Sequence, residues 1–196
     1  MTERQWDAKL KIRTVGRDAS CEDNYHHAYE PTPYTVLERL ADSGYLDERS
    51  VVVDYGCGKG RVGFFLNHRL GCRCIGIEYN QDMYQAALDN CQRYPRRNVC
   101  QIIHQAAEEY AVEDADSFYF FNPFSAELLK SVLGRVKDSY YARPRRLQLF
   151  FYYPSPEYVA YLMTEPELLF VDEIDCADLF EGANSRERIL VFELGW

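Results

Sequence analysis

Five short runs of apolar, β-branched and aromatic residues punctuate the chain: Val51-Val52-Val53-Asp54, Cys74-Ile75-Gly76-Ile77-Glu78, Val99 to His104, Phe118 to Asn122, and Leu147 to Tyr153. Within each run the apolar residues follow one another without clean alternation. That is the pattern of strands covered on both faces, as in a parallel sheet. Between the runs, apolar positions recur at helical spacing over Arg61 to Leu70, Gln81 to Gln92, Ala106 to Tyr110 and Ala126 to Tyr140. Strand and helix patterns in alternation predict a doubly wound α/β domain.

The rhythm changes towards the C-terminus. A helix over Pro156 to Thr164 is followed by two strands, Leu168 to Cys176 and Ile189 to Leu194. The link Glu181-Gly182-Ala183-Asn184-Ser185 has turn formers and no helical pattern, so these strands pair as antiparallel neighbours. Before the first strand, Thr32-Pro33 offers an N-cap with proline at the first helical position. Thr35-x-x-Glu38 is a second capping box, and Val36, Leu37 and Leu40 form the buried face of that helix. The stretch Arg17 to Glu30 is polar and aperiodic, and reads as a tail or a lid.

Composition places this pattern in one globular domain. The 196 residues are 47% hydrophobic, 15% aromatic and 27% charged. No run approaches the ~20 apolar residues a bilayer span needs. The N-terminal residues lack the apolar segment of a secretory signal. The expectation is a soluble cytoplasmic protein. A balance of 22 Lys+Arg against 31 Asp+Glu gives −9, which does not favour a nucleic-acid binder, whose affinity rests on cations meeting phosphates. Seven cysteines are scattered without a C-x-x-C pair, so buried reduced thiols are expected rather than a metal site.

The chemistry concentrates in Asp54-Tyr55-Gly56-Cys57-Gly58-Lys59-Gly60-Arg61. A buried strand ends in an acid and enters a glycine loop that opens a helix. A second acid, Glu78, ends the next strand 24 positions after Asp54, where a carboxylate can hold both hydroxyls of a ribose. A dinucleotide loop would read G-x-G-x-x-G. Here the spacing is G-x-G-x-G behind an acid, a poor neighbour for a pyrophosphate and a good one for a cationic amino-acid moiety.

This loop, with its second strand-end acid, resembles the class I S-adenosylmethionine-dependent methyltransferases. The resemblance covers the whole element order. It implies a Rossmann-like three-layer sandwich with a mostly parallel seven-stranded sheet of order 3-2-1-4-5-7-6, ending in an antiparallel hairpin. It implies that Asp54, Gly56, Cys57, Gly58 and Gly60 face the methionine part of S-adenosylmethionine, Glu78 the ribose, and Tyr79 the adenine. The acid that often follows the third strand is replaced by Ala106, leaving backbone groups or Gln105 to meet the adenine.

Phe121-Asn122-Pro123-Phe124, after the fourth strand, resembles the [DNS]-P-P-[YFW] motif of methyltransferases acting on amino groups, with the second proline missing. By that likeness Asn122 and the Pro123 carbonyl orient the acceptor, Asn122 also borders the cofactor, and Phe124 walls the pocket. Together with Tyr29-Glu30-Pro31-Thr32-Pro33-Tyr34, these segments are similar to small methyltransferases of unassigned substrate, loosely like the Dot1 type. In that likeness Tyr29, Thr32 and Tyr34 close over the cofactor.

Two arginine clusters, Arg93/Arg96/Arg97 and Arg143/Arg145/Arg146, fall in helix-to-strand loops, on the sheet edge away from the ligand. There they complement helix C-termini. Asp54, Glu78, Glu108 and Glu109 are expected at the opposite, catalytic edge. His26-His27 reads as solvated tail and His104 as a satisfied strand-end residue. The expectation is thus a single methyltransferase domain over 1–196, with 1–31 a lid or tail and 32–196 the Rossmann-like core. It uses S-adenosylmethionine and no metal, and its acceptor is unidentified: an amino nitrogen of a protein, an RNA base or a small molecule. An NAD(P)-dependent oxidoreductase and a non-catalytic S-adenosylmethionine-binding module are the competing readings.

Overall fold

The computed structural model describes residues 1–16, 29–96, 100–182 and 184–194. Seven strands form one sheet in the order β3-β2-β1-β4-β5-β7-β6. They are β1 (Val51–Tyr55), β2 (Arg73–Glu78), β3 (Cys100–His104), β4 (Ser117–Phe120), β5 (Leu147–Tyr152), β6 (Leu168–Asp175) and β7 (Arg188–Leu194). The first five run parallel, and β7 is antiparallel to both β5 and β6. The expected order and the reversed hairpin are both present. Residue 99 of the third apolar run lies outside the described residues.

Among the described residues six helices accompany the sheet: α1 (Glu3–Leu10), α2 (Tyr34–Asp42), α3 (Arg61–Leu70), α4 (Gln81–Arg93), α5 (Ala126–Ala142) and α6 (Pro156–Leu162). Strand periodicity divides the core between the two faces of the sheet. From β1, Val52 joins Leu37, Phe65 and Phe150 on one side. Val53 and Tyr55 join Phe118, Val132 and Phe192 on the other. Across β1, β4 and β5, Tyr55, Phe120 and Phe151 stack in register, with ring centroids 5.1 and 4.7 Å apart. This aromatic rung sits at the carboxyl ends of the strands and makes a stiff floor beside the site.

Three local expectations change. The segment expected as a helix from Ala106 to Tyr110 is a single 3-10 turn, Ala107–Glu109. Helix α2 starts at Tyr34, with Pro33 in the cap position and no side-chain cap. Neither Thr32 nor the Thr35/Glu38 pair caps it, because Thr32 spends its hydroxyl on Tyr119 at 3.0 Å. The face Val36, Leu37 and Leu40 is buried as the spacing requires. The third change is at the N-terminus, where α1 forms. Its signal is a capping box: Thr2 N–H donates to Gln5 Oε1 at 2.8 Å and Gln5 N–H to Thr2 Oγ1 at 3.3 Å.

The arginines of the basic clusters close helix ends and strand starts. Arg96 donates to the Asn67 carbonyl at 2.7 Å, near the end of α3, and Arg145 to Ser139 O at 3.1 Å, near the end of α5. Arg143 donates to Glu113 O and Arg146 pairs with Glu193. Arg97 lies outside the described residues. Among the described residues no helix is long and apolar enough to cross a membrane.

Trp6 fixes α1 to the body: it is 2% exposed, edge-on to Phe65 at 4.9 Å and stacked on Tyr34 at 5.7 Å. Trp6→Ala is therefore expected to cost about 3–5 kcal/mol. Urea denaturation reads this, and a loss near zero would mean that α1 is not part of the cooperative unit.

Candidate active site

Parallel strands bring the ends of β1, β2 and β4 side by side. Asp54 lies opposite Gly76 of β2 and Tyr119 of β4. After Tyr55 the chain turns sharply, and the N–H groups of Gly56 and Cys57 both donate to Ile77 O, at 2.9 and 3.1 Å. Cys57 tucks its sulfur over Gly76, where an added Cβ would lie 2.6 Å from it. Gly56 and Gly58 have positive φ, 71° and 53°. A Cβ on Gly56 would lie 2.5 Å from Pro123 Cβ, and one on Gly58 would enter the Tyr29 ring. The loop is thus gripped between the N-terminal segment and the turn after β4, and only glycine fits.

The two strand-end acids differ in how they are satisfied. Glu78, 9% exposed, accepts from Gly58 N–H at 2.7 Å and from Asn80 N–H at 2.8 Å. One of its oxygens therefore holds the glycine loop. Asp54 is 4% exposed, and its Oδ2 has no hydrogen-bond partner. Burial, then the charge of Glu78, pushes its pKa up to about 8. A buried carboxyl without a partner is costly, and a ligand cation beside it removes that cost.

A cavity of about 750 Å³ opens between these acids and the turn after β4. Of the residues singled out by sequence, Tyr29, Thr32, Asp54, Gly56, Cys57, Gly58, Glu78, Tyr79, Gln105, Asn122, Pro123 and Phe124 line it. Gly60 does not: it turns the chain into α3 and packs on Phe64. Ala106 is also outside the lining, which passes from Gln105 to Ala107. Glu108 and Glu109 belong to the 3-10 turn and do not reach the cavity. Tyr34 is a further correction: it is fully buried behind the site, its hydroxyl donating to Asp7 Oδ1 at 2.6 Å. Tyr29 does cover the loop, with its hydroxyl on Thr14 O at 2.8 Å and Lys59 Nζ 4.9 Å from its ring. His26 and His27 lie outside the described residues.

Sequence reasoning gave no role to several other lining residues, among them Tyr119, Glu30, Phe121 and Arg61. Tyr119 lies behind the site and holds Thr32. Glu30 and Phe121 line the cavity. Arg61, 2% exposed, has its Nε on Thr14 Oγ1 at 2.7 Å and its Nη1 on Thr32 O at 3.0 Å. It also pairs with Glu3. A cation at a helix N-terminus is an unfavourable placement, and that oddity was the available signal for Arg61. His104 is satisfied as expected, 2.8 Å from Tyr79 O and stacked on Tyr84, yet it also lines the cavity.

The turn after β4 is held by Asn122, which adopts a positive φ of 41°. Its Nδ2 donates to Tyr153 O at 2.5 Å and its Oδ1 accepts from Ser155 N–H at 3.0 Å. Asn122 thus ties the end of β4 to the loop after β5, while the Phe124 carbonyl takes the Tyr158 hydroxyl at 2.7 Å. No group of three or more potential metal ligands occurs among the described residues. The cysteines described are all free.

Residues 52–137 match the family model described as a methyltransferase domain. Over 82 residues the chain is 29% identical to a histone-lysine N-methyltransferase, H3 lysine-79 specific, of Dictyostelium discoideum, covering 42% of this chain and 4% of that protein. A protein-lysine N-methyltransferase of Saccharolobus islandicus is 29% identical over 69 residues, covering 35% of this chain and 43% of the relative. The chain thus spans less than half of these curated relatives. Among solved structures, an RNA methyltransferase from Salinibacter ruber in complex with S-adenosyl-L-homocysteine superposes with a TM-score of 0.53 at 19% identity, over 84% of this chain and 92% of that one. A TehB-like SAM-dependent methyltransferase from Corynebacterium glutamicum gives 0.59 at 14%, over 98% and 96%. At such identities these two speak for the fold. The buried, unpartnered Asp54 and the glycine cradle fit an adenosyl ligand carrying positive charge. Loop, sheet order and the match over residues 52–137 agree: the chain has the fold of the class I S-adenosylmethionine-dependent methyltransferases, and its first βαβ half is similar to a methyltransferase domain.

Proposed function

We propose that the chain moves a methyl group from S-adenosylmethionine to the amino nitrogen of a lysine in a basic protein. The observation that carries this reading is the continuity of one cavity from Asp54 and Glu78 to the Asn122-Pro123-Phe124 turn. Four carboxylate residues, Glu30, Asp54, Glu78 and Asp82, line that cavity, and the chain bears −9 overall. Such a field draws a cationic acceptor and repels a phosphate chain. Both curated relatives are lysine methyltransferases by name, which supports the same acceptor.

When bound, the donor supplies a methyl group on a positive sulfur that is already activated for displacement. The protein's part is alignment and a dry cavity. Asp54 faces the cationic methionine end, and Glu78 the ribose. Phe121, Pro123 and Phe124 form an apolar wall suited to an alkyl chain and to a neutral amine, the form that carries the lone pair. The Pro123 carbonyl would accept from the amine N–H and direct the lone pair at the methyl carbon, with Asn122 holding the turn that presents it.

Incubation with methyl-labelled S-adenosylmethionine and separate basic-protein and RNA fractions tests this. Label is expected in protein, recovered as methyl-lysine after hydrolysis. Label confined to RNA or small molecules would overturn the acceptor. Asn122→Ala should lower turnover by about 100-fold, because the turn after β4 loses its tie to the loop after β5. Affinity for S-adenosylhomocysteine should stay within about twofold, since the Asp54/Glu78 end is untouched. A parallel loss of affinity would remove Asn122 from the acceptor side.

The raised pKa of Asp54 fixes the sign of a pH effect. In the free protein its carboxyl is largely protonated at pH 7, with a pKa of about 8. A ligand ammonium prefers it ionised, so binding releases a proton. Affinity for S-adenosylhomocysteine should rise by up to about tenfold per pH unit from pH 6 towards 8 and then level off. Calorimetry in buffers of different ionisation heat reads both the trend and the proton; a flat profile would contradict it.

A further inference from the structure

The cofactor has three polar parts besides adenine: a ribose, an ammonium and a carboxylate. Glu78 and Asp54 suit the first two, and both are acids. A carboxylate in the same dry cavity needs a donor of its own, because leaving a charge buried and unpaired is prohibitive. Among the described lining residues Arg61 is the one Lys or Arg, set against four carboxylates. Its Nε and Nη1 are engaged, but Nη2 makes no hydrogen bond although the residue is 98% buried, with 2% exposure.

The nearest acid does not satisfy that nitrogen. Asp7 Oδ1 stands 3.9 Å from Nη2, beyond hydrogen-bond reach. The Asp7 oxygens are taken by Thr14 N–H at 2.6 Å, Thr14 Oγ1 at 2.7 Å, Tyr34 Oη at 2.6 Å and Val15 N–H at 3.2 Å. Glu3 pairs with Nη1 from a position 43% exposed, where solvent screens its charge. The guanidinium face is packed on the Tyr34 ring, 4.3 Å away, so its orientation is fixed. Arg61 is also the first residue of α3, a helix of 10 residues, whose N-terminal N–H groups favour an anion.

We infer that Arg61 is the residue that holds the carboxylate of the cofactor's methionine part, and that the Glu3–Asp7–Thr14 cluster of the N-terminal segment exists to aim it. This assignment rests on the S-adenosylmethionine reading of the cavity. It gives the N-terminal helix a role in cofactor selection: α1 supplies the two acids that keep a buried cation in place at the glycine loop. It also makes the site selective for the full amino acid over a nucleoside thioether that lacks the carboxylate.

The test compares S-adenosylhomocysteine with its decarboxylated analogue, which keeps adenosine, sulfur and amine. Isothermal calorimetry of the wild type should show the analogue binding at least about 10-fold more weakly, as expected for loss of a charge-assisted hydrogen bond. In Arg61→Gln, S-adenosylhomocysteine should weaken by a similar factor while the analogue is unaffected, so that the ratio falls towards one. Equal binding of the two ligands by the wild type overturns the assignment without any variant. A ratio that survives Arg61→Gln overturns it as well. Should Arg61→Gln fail to fold, Arg61→Lys keeps a positive charge between Glu3 and Asp7 but lacks the planar fork; the ratio should still shrink, and an unchanged ratio counts against the inference. If neither ligand binds the wild type, the cofactor reading itself fails and this assignment falls with it.

Discussion

The site depends on placing two carboxylates out of water at the ends of neighbouring strands. Desolvation makes this unfavourable, and the fold offsets it unevenly. Glu78 receives two backbone N–H groups, one from the glycine loop it helps to shape. Asp54 receives none at Oδ2 and holds its proton more tightly than a free carboxyl would. Its penalty is carried by the surrounding core, where β1 runs between two neighbours and the Tyr55–Phe120–Phe151 stack prevents the strand ends from spreading. A site that relaxed to solvate Asp54 would lose the preorganisation that makes a cationic ligand welcome.

Strand runs and the helices between them were legible because burial on both faces leaves a continuous apolar signature. The antiparallel ending could be read as well, since no helix pattern separates Leu168–Asp175 from Arg188–Leu194. The glycine loop was readable for a different reason: spacing and conformational freedom are properties of the residues themselves, and Gly56 and Gly58 do occupy positive φ. What failed was short-range capping logic at Thr32. A hydroxyl can serve a helix end or a distant partner, and here Tyr119, 87 positions away, takes it. Tyr34 was misassigned for the same reason, because an aromatic beside a lid motif gives no sign that its hydroxyl will bury itself on Asp7.

Arg61 shows the limit most clearly. In the sequence it is one cation after a glycine loop, and nothing local says that Glu3, Asp7, Thr14 and Thr32 will converge on it. Such a network contributes little net stability, because desolvating the ions offsets their attraction. Its effect is geometric. Three separate stretches of chain, α1, the Thr14 segment and the Thr32 segment, are brought to a single guanidinium at the first residue of α3. The cofactor loop is thereby enclosed on the side opposite the turn after β4, and the cavity gains a wall that no βαβ unit supplies.

The same division of labour explains Asn122. Both ends of its carboxamide are occupied by the loop after β5. A side chain with two duties is held more rigidly than one free to rotate, and in-line displacement rewards rigidity more than contact number. Tyr153, whose carbonyl takes the amide, itself has a positive φ of 50°. Two non-glycine residues in a disfavoured region, joined by one hydrogen bond, hold strain that the fold must over-determine. That strain lies at the turn after β4 and not at the glycine loop, where glycines remove it. The glycine-loop side of the cavity is therefore built from backbone freedom, and the side at the turn after β4 from constrained side chains. This is why the donor could be read from the sequence while the acceptor has to be argued from charge and shape.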